Sequence, residues 1–149
     1  MAHTSNIAVL NGPNLNMLGM REPDIYGHHT LADIKAKCRL LAEERDMGID
    51  WFQSNLEGDL IDKIQAVAGS ADWIIINAAG LTHTSVALRD ALALFPGGVI
   101  EVHLSNIHAR ESFRHTSLVS TVAKGVIAGF GAASYYMAID AISYLQLET

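Results

Sequence analysis

The chain has only one cysteine in 149 residues, Cys38, and this scarcity excludes an internal disulfide framework. A lone cysteine fits a reducing compartment, and its position within a predicted helix favours a buried, inert thiol over a nucleophile. Only 17% of the residues are charged, and the formal net charge of −6 argues against nucleic acid as a partner. Half of the residues are apolar, which is typical of a globular protein and not of a disordered one.

Long apolar runs are also missing. The most membrane-like stretch, residues 125–145, contains Asp140 as well as glycines, serines and tyrosines, so a strand, a turn and a helix explain it better than a membrane span. Residues 1–6 have neither a basic region nor a following apolar segment of signal-peptide length, so we expect no targeting segment and a cytoplasmic location. No linker or repeat divides the chain, and we predict a single catalytic domain over residues 1–149.

Several motifs that mark common chemistries are absent. There is no Walker loop and no Gly-x-Gly-x-x-Gly after the first predicted strand. The sequence has no His-x-x-x-His and no cysteine pair, and the adjacent His28 and His29 lack the spacing of metal ligands. Ser85 and Ser105 lack the context of a nucleophile elbow. We therefore predict no metal site.

The sequence does contain a regular alternation of strand-like and helix-like segments. Apolar runs predict five strands, at 7–10, 49–52, 73–76, 99–103 and 125–129. Apolar residues spaced by three and four predict helices between the strands, one with Thr30 as its N-cap and one over 86–95 with Thr82 or Thr84 as its N-cap. This alternation predicts an α/β fold, a flavodoxin-like doubly wound five-stranded parallel sheet in three α/β/α layers.

Polar residues concentrate where the predicted strands end. They lie in four segments, 11–14, 53–55, 77–85 and 103–106. Ligands of such sheets bind beyond the carboxyl ends of the strands, so we predict that the four segments converge on one crevice. Each segment also has an ordinary structural explanation: Asn77 could cap its strand, and His103 could be a hydrogen-bonded core histidine. Arg110, Glu111 and Arg114 could form a solvated face.

One loop carries an unusual pair of side chains, Arg21 and Tyr26. A tyrosine near an arginine suggests a base that works as tyrosinate. Free tyrosine has a pKa of about 10, and lowering it toward 7 takes roughly 4 kcal/mol, which a close guanidinium can supply. His103 is a candidate general acid, and Glu101 lies two residues earlier on the same strand face, where it could orient the imidazole.

Amide donors complete a set suited to one type of reaction. Asn14 and Asn77 could stabilise an enolate, either directly or through a water. Together with a base and an acid, they predict proton abstraction beside a carbonyl, followed by loss of a hydroxyl. Two alternatives remain open: a binding module that holds a flavin or nucleotide without catalysis, and a different lyase acting on an enolisable hydroxy-ketone acid.

Four long segments, 11–19, 21–27, 77–90 and 101–114, closely resemble the type II 3-dehydroquinate dehydratases. The resemblance covers roughly residues 7–145. It implies a cofactor-free hydro-lyase that converts 3-dehydroquinate to 3-dehydroshikimate and water, in the shikimate pathway or in quinate catabolism.

The resemblance also implies roles for individual residues. Tyr26 matches the tyrosinate base and Arg21 the arginine that activates it, while His103 matches the acid that protonates the departing hydroxyl. The positions that hold a water against the enolate match Asn14 and Asn77. The implied substrate contacts are Asn77, His83, Asp90, Leu104, Ser105 and Arg114.

The resemblance further implies a homododecamer built as a tetramer of trimers, in which Asp90 reaches a neighbouring subunit's site. His83 and Asp90 lie seven residues apart, and on one helix both would point the same way, which also favours a shared site. The mean hydropathy of +0.21 agrees with surface buried between subunits. Two departures are visible: Leu56 stands where relatives often have histidine, and Met20 where a polar residue is more usual.

Overall fold

The computed structural model describes residues 5–20, 22–26 and 28–148, apart from the side chains of Pro23 and Tyr26. Five strands form one parallel sheet in the order β2-β1-β3-β4-β5. The strands are β1 (Ser5–Asn11), β2 (Met47–Gln53), β3 (Trp73–Asn77), β4 (Gly98–His103) and β5 (Gly125–Ala128). The helices are α1 (Pro23–Tyr26), α2 (Leu31–Glu44), α3 (Glu57–Val67), α4 (Val86–Leu94) and α5 (Ala133–Leu147). The predicted α/β fold with a flavodoxin-like sheet is confirmed.

Strand β1 is apolar from Ile7 to Leu10, where both of its faces are covered. Ile7 and Val9 belong to a core with α2 and α5, whereas Ala8 and Leu10 belong to a second core with α3 and α4. Cys38 lies fully buried in the first core, and burial raises the pKa of its thiol to about 12. The prediction of an inert thiol at this position agrees with that environment.

Helix α2 begins as predicted. The Thr30 hydroxyl accepts a hydrogen bond from the Asp33 amide at 3.1 Å, and the Asp33 carboxylate accepts one from the Thr30 amide at 3.0 Å. This reciprocal capping box satisfies two amides that the helix itself leaves without acceptors.

Helix α4 begins at Val86 as predicted, but the N-cap suggested from the sequence was wrong. Its N-cap is Ser85, whose hydroxyl accepts from the Leu88 amide at 2.9 Å, and not Thr82 or Thr84. A 3₁₀ turn over Ala79–His83 precedes the helix and holds both threonines outside it. His83 and Asp90 therefore do not share a helix face. Their spacing of seven residues gives no geometric support for a site shared between subunits.

The sheet register aligns the carboxyl ends of the three middle strands in space. Asn11, the last residue of β1, lies beside Gln53 of β2 on one side and beside Asn77 of β3 on the other. Glu101 of β4 lies beside Ile76 of β3. Within the described ranges, no helix is both long enough and apolar enough to cross a membrane.

Candidate active site

A cleft of about 120 Å³ lies at this carboxyl edge of the sheet. Its walls come from the segments that follow β1, β3 and β4. Seven of the predicted site residues line it: Asn14, Asn77, His83, His103, Leu104, Ser105 and Arg114. The predicted convergence on one crevice is therefore observed for three of the four segments.

The fourth segment, after β2, supports the cleft from outside. The Asn55 side chain accepts a hydrogen bond from the Asn14 amide at 2.9 Å, and Gln53 Nε2 donates to the Gly12 carbonyl at 3.2 Å. These bonds hold Asn14 in a left-handed backbone conformation with φ of +72°. Placing residues 53–55 at the wall of the crevice was wrong, because their polar groups are occupied in fixing the loop that follows β1.

Gly12 fixes the distance between the loops that follow β1 and β3. Its amide donates to the Asn77 carbonyl at 2.8 Å. A Cβ at this position would lie 2.5 Å from the Ala78 carbonyl oxygen, which is closer than a carbon can approach backbone without a shift. Only glycine permits this separation between the two walls of the cleft.

Asn77 does more than end its strand. Its side chain is almost completely buried; Nδ2 donates to the Tyr135 hydroxyl at 3.0 Å, and Oδ1 accepts from the Ala79 amide at 3.2 Å. Ala79 has a φ of +52°, an uncommon conformation for a residue with a Cβ. The Asn77 side chain thus stabilises an unfavourable backbone turn at the edge of the cleft.

His103 and Glu101 form a buried pair. His103 is 4% exposed and Glu101 is 1% exposed, and His103 Nε2 lies 2.5 Å from Glu101 Oε2. This is the contact expected from their spacing on one strand. His103 is therefore hydrogen-bonded as a core histidine would be, and it also lines the cleft.

Two serines complete the acceptor set of Glu101. The Ser117 hydroxyl donates to Oε2 at 2.8 Å, and the Ser120 hydroxyl donates to Oε1 at 2.5 Å. Burial acts to raise the pKa of Glu101, but the hydrogen bonds from His103, Ser120 and Ser117, together with the charge of His103, leave that pKa below its usual value. Glu101 is thus an ionised carboxylate beneath the imidazole.

Basic and hydroxyl groups line the wall that the segment after β4 forms. Arg110 Nη1 donates to the Ser105 hydroxyl at 3.3 Å, and Arg114 Nε donates to Glu111 at 3.0 Å. The hydrogen bond from Arg114 is the main reason that the pKa of Glu111 is lowered. Arg110 and Arg114 both line the cleft, so only Glu111 fits the alternative of a solvated face. Two guanidinium groups give this wall a positive charge suited to an anionic ligand.

Other predicted site residues lie elsewhere. Asp90 is on α4, away from the cleft lining, with its exposed carboxylate 3.1 Å from Arg89 Nη1. Arg21 lies outside the described residues, and Tyr26 is described only in its backbone, within α1. The departures Leu56 and Met20 are 63% and 71% exposed. Among the residues that the structure describes, no group of three or more His, Cys, Asp or Glu side chains could hold a metal.

Sequence reasoning missed several residues that shape the site. Tyr135, Ser117 and Ser120 are distant in sequence from the side chains they contact, and no local pattern indicates such partners. Arg110 was considered only as part of a face that could be solvated, and not as a site residue. Its position four residues before Arg114, after a predicted active-site strand, was the only available signal.

Comparison with known proteins identifies the class to which this fold and cleft belong. Residues 5–143 match the family model described as dehydroquinase class II. The chain is 56% identical over 137 residues to the 3-dehydroquinate dehydratase of Dinoroseobacter shibae, covering 92% of this chain and 91% of the relative.

Solved structures agree with that match. The type II dehydroquinase from Butyrivibrio crossotus is similar with a TM-score of 0.91 and 43% identity, over 93% of this chain and 97% of that one. The type II dehydroquinase from Propionibacterium acnes is similar with a TM-score of 0.92 and 38% identity, over 97% and 99% of the two chains.

The chain belongs to the class II dehydroquinases. The predicted enzyme type, a type II 3-dehydroquinate dehydratase, is confirmed at this level. A flavin- or nucleotide-binding module without catalysis is thereby no longer a viable alternative.

Proposed function

We propose that the chain converts 3-dehydroquinate to 3-dehydroshikimate and water through an enolate, with Tyr26 as the base and His103 as the general acid. The observation that carries the acid assignment is the buried Glu101–His103 pair at the cleft. An ionised carboxylate beneath the imidazole fixes Nε2 as a donor and balances the charge of the protonated ring. Nδ1 is then the ring nitrogen that delivers a proton to the departing hydroxyl.

The amide groups of the cleft suit the developing enolate. Asn14 and Asn77 come from different strand ends, and the contact between Gly12 and Asn77 holds their loops together. Donors fixed before the reaction stabilise an oxyanion without reorganising, either directly or through a water. This supports their assignment as enolate-stabilising groups.

The substrate's carboxylate needs a positive, hydrogen-bonding wall. Leu104, Ser105 and Arg114 line the cleft from the segment that follows β4, and His83 lines it from the segment that follows β3. We assign Asn77, His83, Leu104, Ser105 and Arg114 to substrate contacts, and the positive guanidinium of Arg114 suits an anionic group. The orientation of the His83 ring is fixed by a hydrogen bond, since its Nδ1 lies 2.9 Å from the Thr116 carbonyl oxygen.

The base assignment rests on the sequence segment 21–27. A tyrosinate at Tyr26 requires a lowered pKa, and the guanidinium of Arg21 is the group that we propose lowers it. Cleavage then needs no further cofactor, because the ketone itself provides the electron sink for proton abstraction.

We also propose a homododecamer, a tetramer of trimers, in which Asp90 contacts substrate bound by a neighbour. Asp90 is exposed and lies on a helix outside its own cleft. The same helix presents Val86 at 60% and Leu94 at 79% exposure, and apolar surface of this kind favours a subunit contact.

The test is to add 3-dehydroquinate and follow the near-ultraviolet absorbance of the conjugated enone product. The wild type should produce it, and Tyr26→Phe should lower kcat by about 10²–10⁴. Tyr144→Phe is the matched control, because Tyr144 is 70% exposed on α5 and should leave kcat unchanged. Lack of product from the wild type would refute the substrate, and near-normal turnover by Tyr26→Phe would refute the base.

A further inference from the structure

Tyr135 is a fully buried phenol that the reaction does not use directly. It lies on α5, beneath the ends of β1 and β3, where its ring packs 5.9 Å from that of Trp51. Burial raises the pKa of Tyr135, so the hydroxyl stays protonated and remains able to donate a hydrogen bond. Its hydroxyl is at the middle of four consecutive hydrogen bonds that run from the Phe52 carbonyl through Asn11, Tyr135 and Asn77 to the Ala79 amide, which we call the relay.

The first half of this relay starts at a backbone carbonyl. The Phe52 carbonyl can only accept, so Asn11 must present its Nδ2 to it, at 3.1 Å. Asn11 Oδ1 therefore faces the other way and accepts from the Tyr135 hydroxyl at 2.7 Å. The single hydrogen of that hydroxyl is thereby committed.

The second half ends at a backbone amide. With its hydrogen committed, the Tyr135 oxygen can only accept, and Asn77 Nδ2 donates to it at 3.0 Å. Asn77 Oδ1 then accepts from the Ala79 amide, which can only donate. Backbone groups at both ends have one possible role each, so the direction of the whole relay is fixed.

We infer that Tyr135 is a positioning residue which, together with the Ala79 amide, holds the Asn77 amide in a single orientation for the reaction. Asn77 Nδ2 carries a second hydrogen that these hydrogen bonds do not use, and Asn77 is one of the residues that line the cleft. With the amide reversed, an oxygen would face the developing negative charge and oppose the reaction. This inference rests on the proposed function, in which Asn77 stabilises the enolate.

The relay predicts a specific effect on catalysis. Tyr135→Phe keeps the ring and removes the hydroxyl, so it should lower kcat by about tenfold to 10²-fold with a much smaller change in KM, since the lost interaction serves the transition state. The neighbouring Tyr136→Phe is the matched control. Tyr136 is only partly buried, with its ring 4.8 Å from Lys37 Nζ, and its substitution should leave kcat unchanged.

A double-mutant cycle separates positioning from general stability. If Tyr135 acts through Asn77, Tyr135→Phe should cause no further loss of kcat in an Asn77→Ala background. Losses that multiply would overturn the inference, as would a Tyr135→Phe enzyme that is less stable but turns over at the wild-type rate. Should Tyr135→Phe fail to fold, Asn11→Ala breaks the relay one bond earlier and should give the same selective loss of kcat.

A second readout does not depend on activity. Amide hydrogen exchange at Ala79 should accelerate in Tyr135→Phe and not in Tyr136→Phe, because Asn77 Oδ1 is no longer held against that amide. Unchanged exchange at Ala79 would overturn the relay. Failure of the wild type to dehydrate 3-dehydroquinate would instead refute the proposed function. The hydrogen-exchange rate at Ala79 would still test whether the relay exists.

Discussion

Replacement of Glu101 by glutamine isolates the charge beneath His103. The wild-type carboxylate accepts three hydrogen bonds, from His103, Ser117 and Ser120. Glutamine has nearly the same shape, and its oxygen can replace Oε2 while its amide donates to the Ser120 hydroxyl, which can rotate to accept. Glu101→Gln should therefore fold with the same contacts and without the charge.

The magnitude follows from the kind of hydrogen bond that is lost. A bond to a charged group is worth about 1.5–3 kcal/mol and a neutral one about 0.5–1.5 kcal/mol. Three such exchanges give a loss of roughly 3 kcal/mol in the free energy of unfolding, reduced because a buried charge no longer has to be desolvated. We expect a net loss of about 1–3 kcal/mol.

Turnover should fall as well, for a separate reason. Without the carboxylate, the protonated ring loses its buried counter-charge, and we expect a decrease in kcat of about 10². The decrease cannot exceed the whole contribution of the general acid, so His103→Ala sets its upper limit. Asp72→Asn is the matched control, because Asp72 accepts from Ser5 and Asn6 at the opposite end of the sheet.

The unfolding free energy should change with pH in a direction that can be measured. The pKa of Glu101 is lowered in the folded protein from its usual 4.5, so the carboxylate stabilises the fold above about pH 4.5, and this contribution is lost as the pH falls through the folded-state value. The difference in unfolding free energy between wild type and Glu101→Gln should shrink in that acidic range. Denaturant unfolding at several pH values measures it. A difference that grows toward acid, or a kcat equal to that of the wild type, would refute the role given to Glu101.

Three further predictions concern other parts of the site. Arg21→Ala should move the pH profile of kcat toward higher pH, with partial rescue by Arg21→Lys; an unmoved profile with weaker substrate binding alone would contradict the role of Arg21. Tyr26→Phe and Asp90→Ala subunits, each inactive alone, should regain some activity when refolded together, and mixed oligomers that stay inactive would contradict a shared site. Gly12→Ala should lower kcat by about tenfold or more, because its Cβ would lie 2.5 Å from the Ala78 carbonyl oxygen. Gly58→Ala is the control and should leave kcat unchanged, because the space around its Cβ is open. Equal kcat values for the two variants would contradict this reason.

Local patterns were sufficient to predict the strands and Thr30 as the N-cap of α2. An unbroken apolar run such as 73–76 can be buried on both faces only inside a layered sheet. The start of α4 at Val86 was predicted correctly, but its N-cap was not, because Thr82, Thr84 and Ser85 are all good caps and only the packed 3₁₀ turn selects Ser85.

The candidate site was predictable where its groups follow directly from strand ends. Alternate side chains of a strand lie on the same face, and this rule was enough to predict the contact between Glu101 and His103. The bonds from Ser117 and Ser120 to Glu101, and from Tyr135 to Asn11 across 124 positions, depend on long-range packing that no local spacing encodes.

Separation of the two proton transfers tests the central claim most directly. The measurement is NMR of 3-dehydroquinate in D₂O with His103→Ala, following exchange of the proton beside the ketone and formation of product in the same sample. The account predicts that exchange continues, because Tyr26 still removes the proton, while dehydration falls by about 10²–10⁴. Tyr26→Phe should lose both. Absence of exchange in His103→Ala, or exchange at the wild-type rate in Tyr26→Phe, would contradict the assignment of Tyr26 as the base and His103 as the acid.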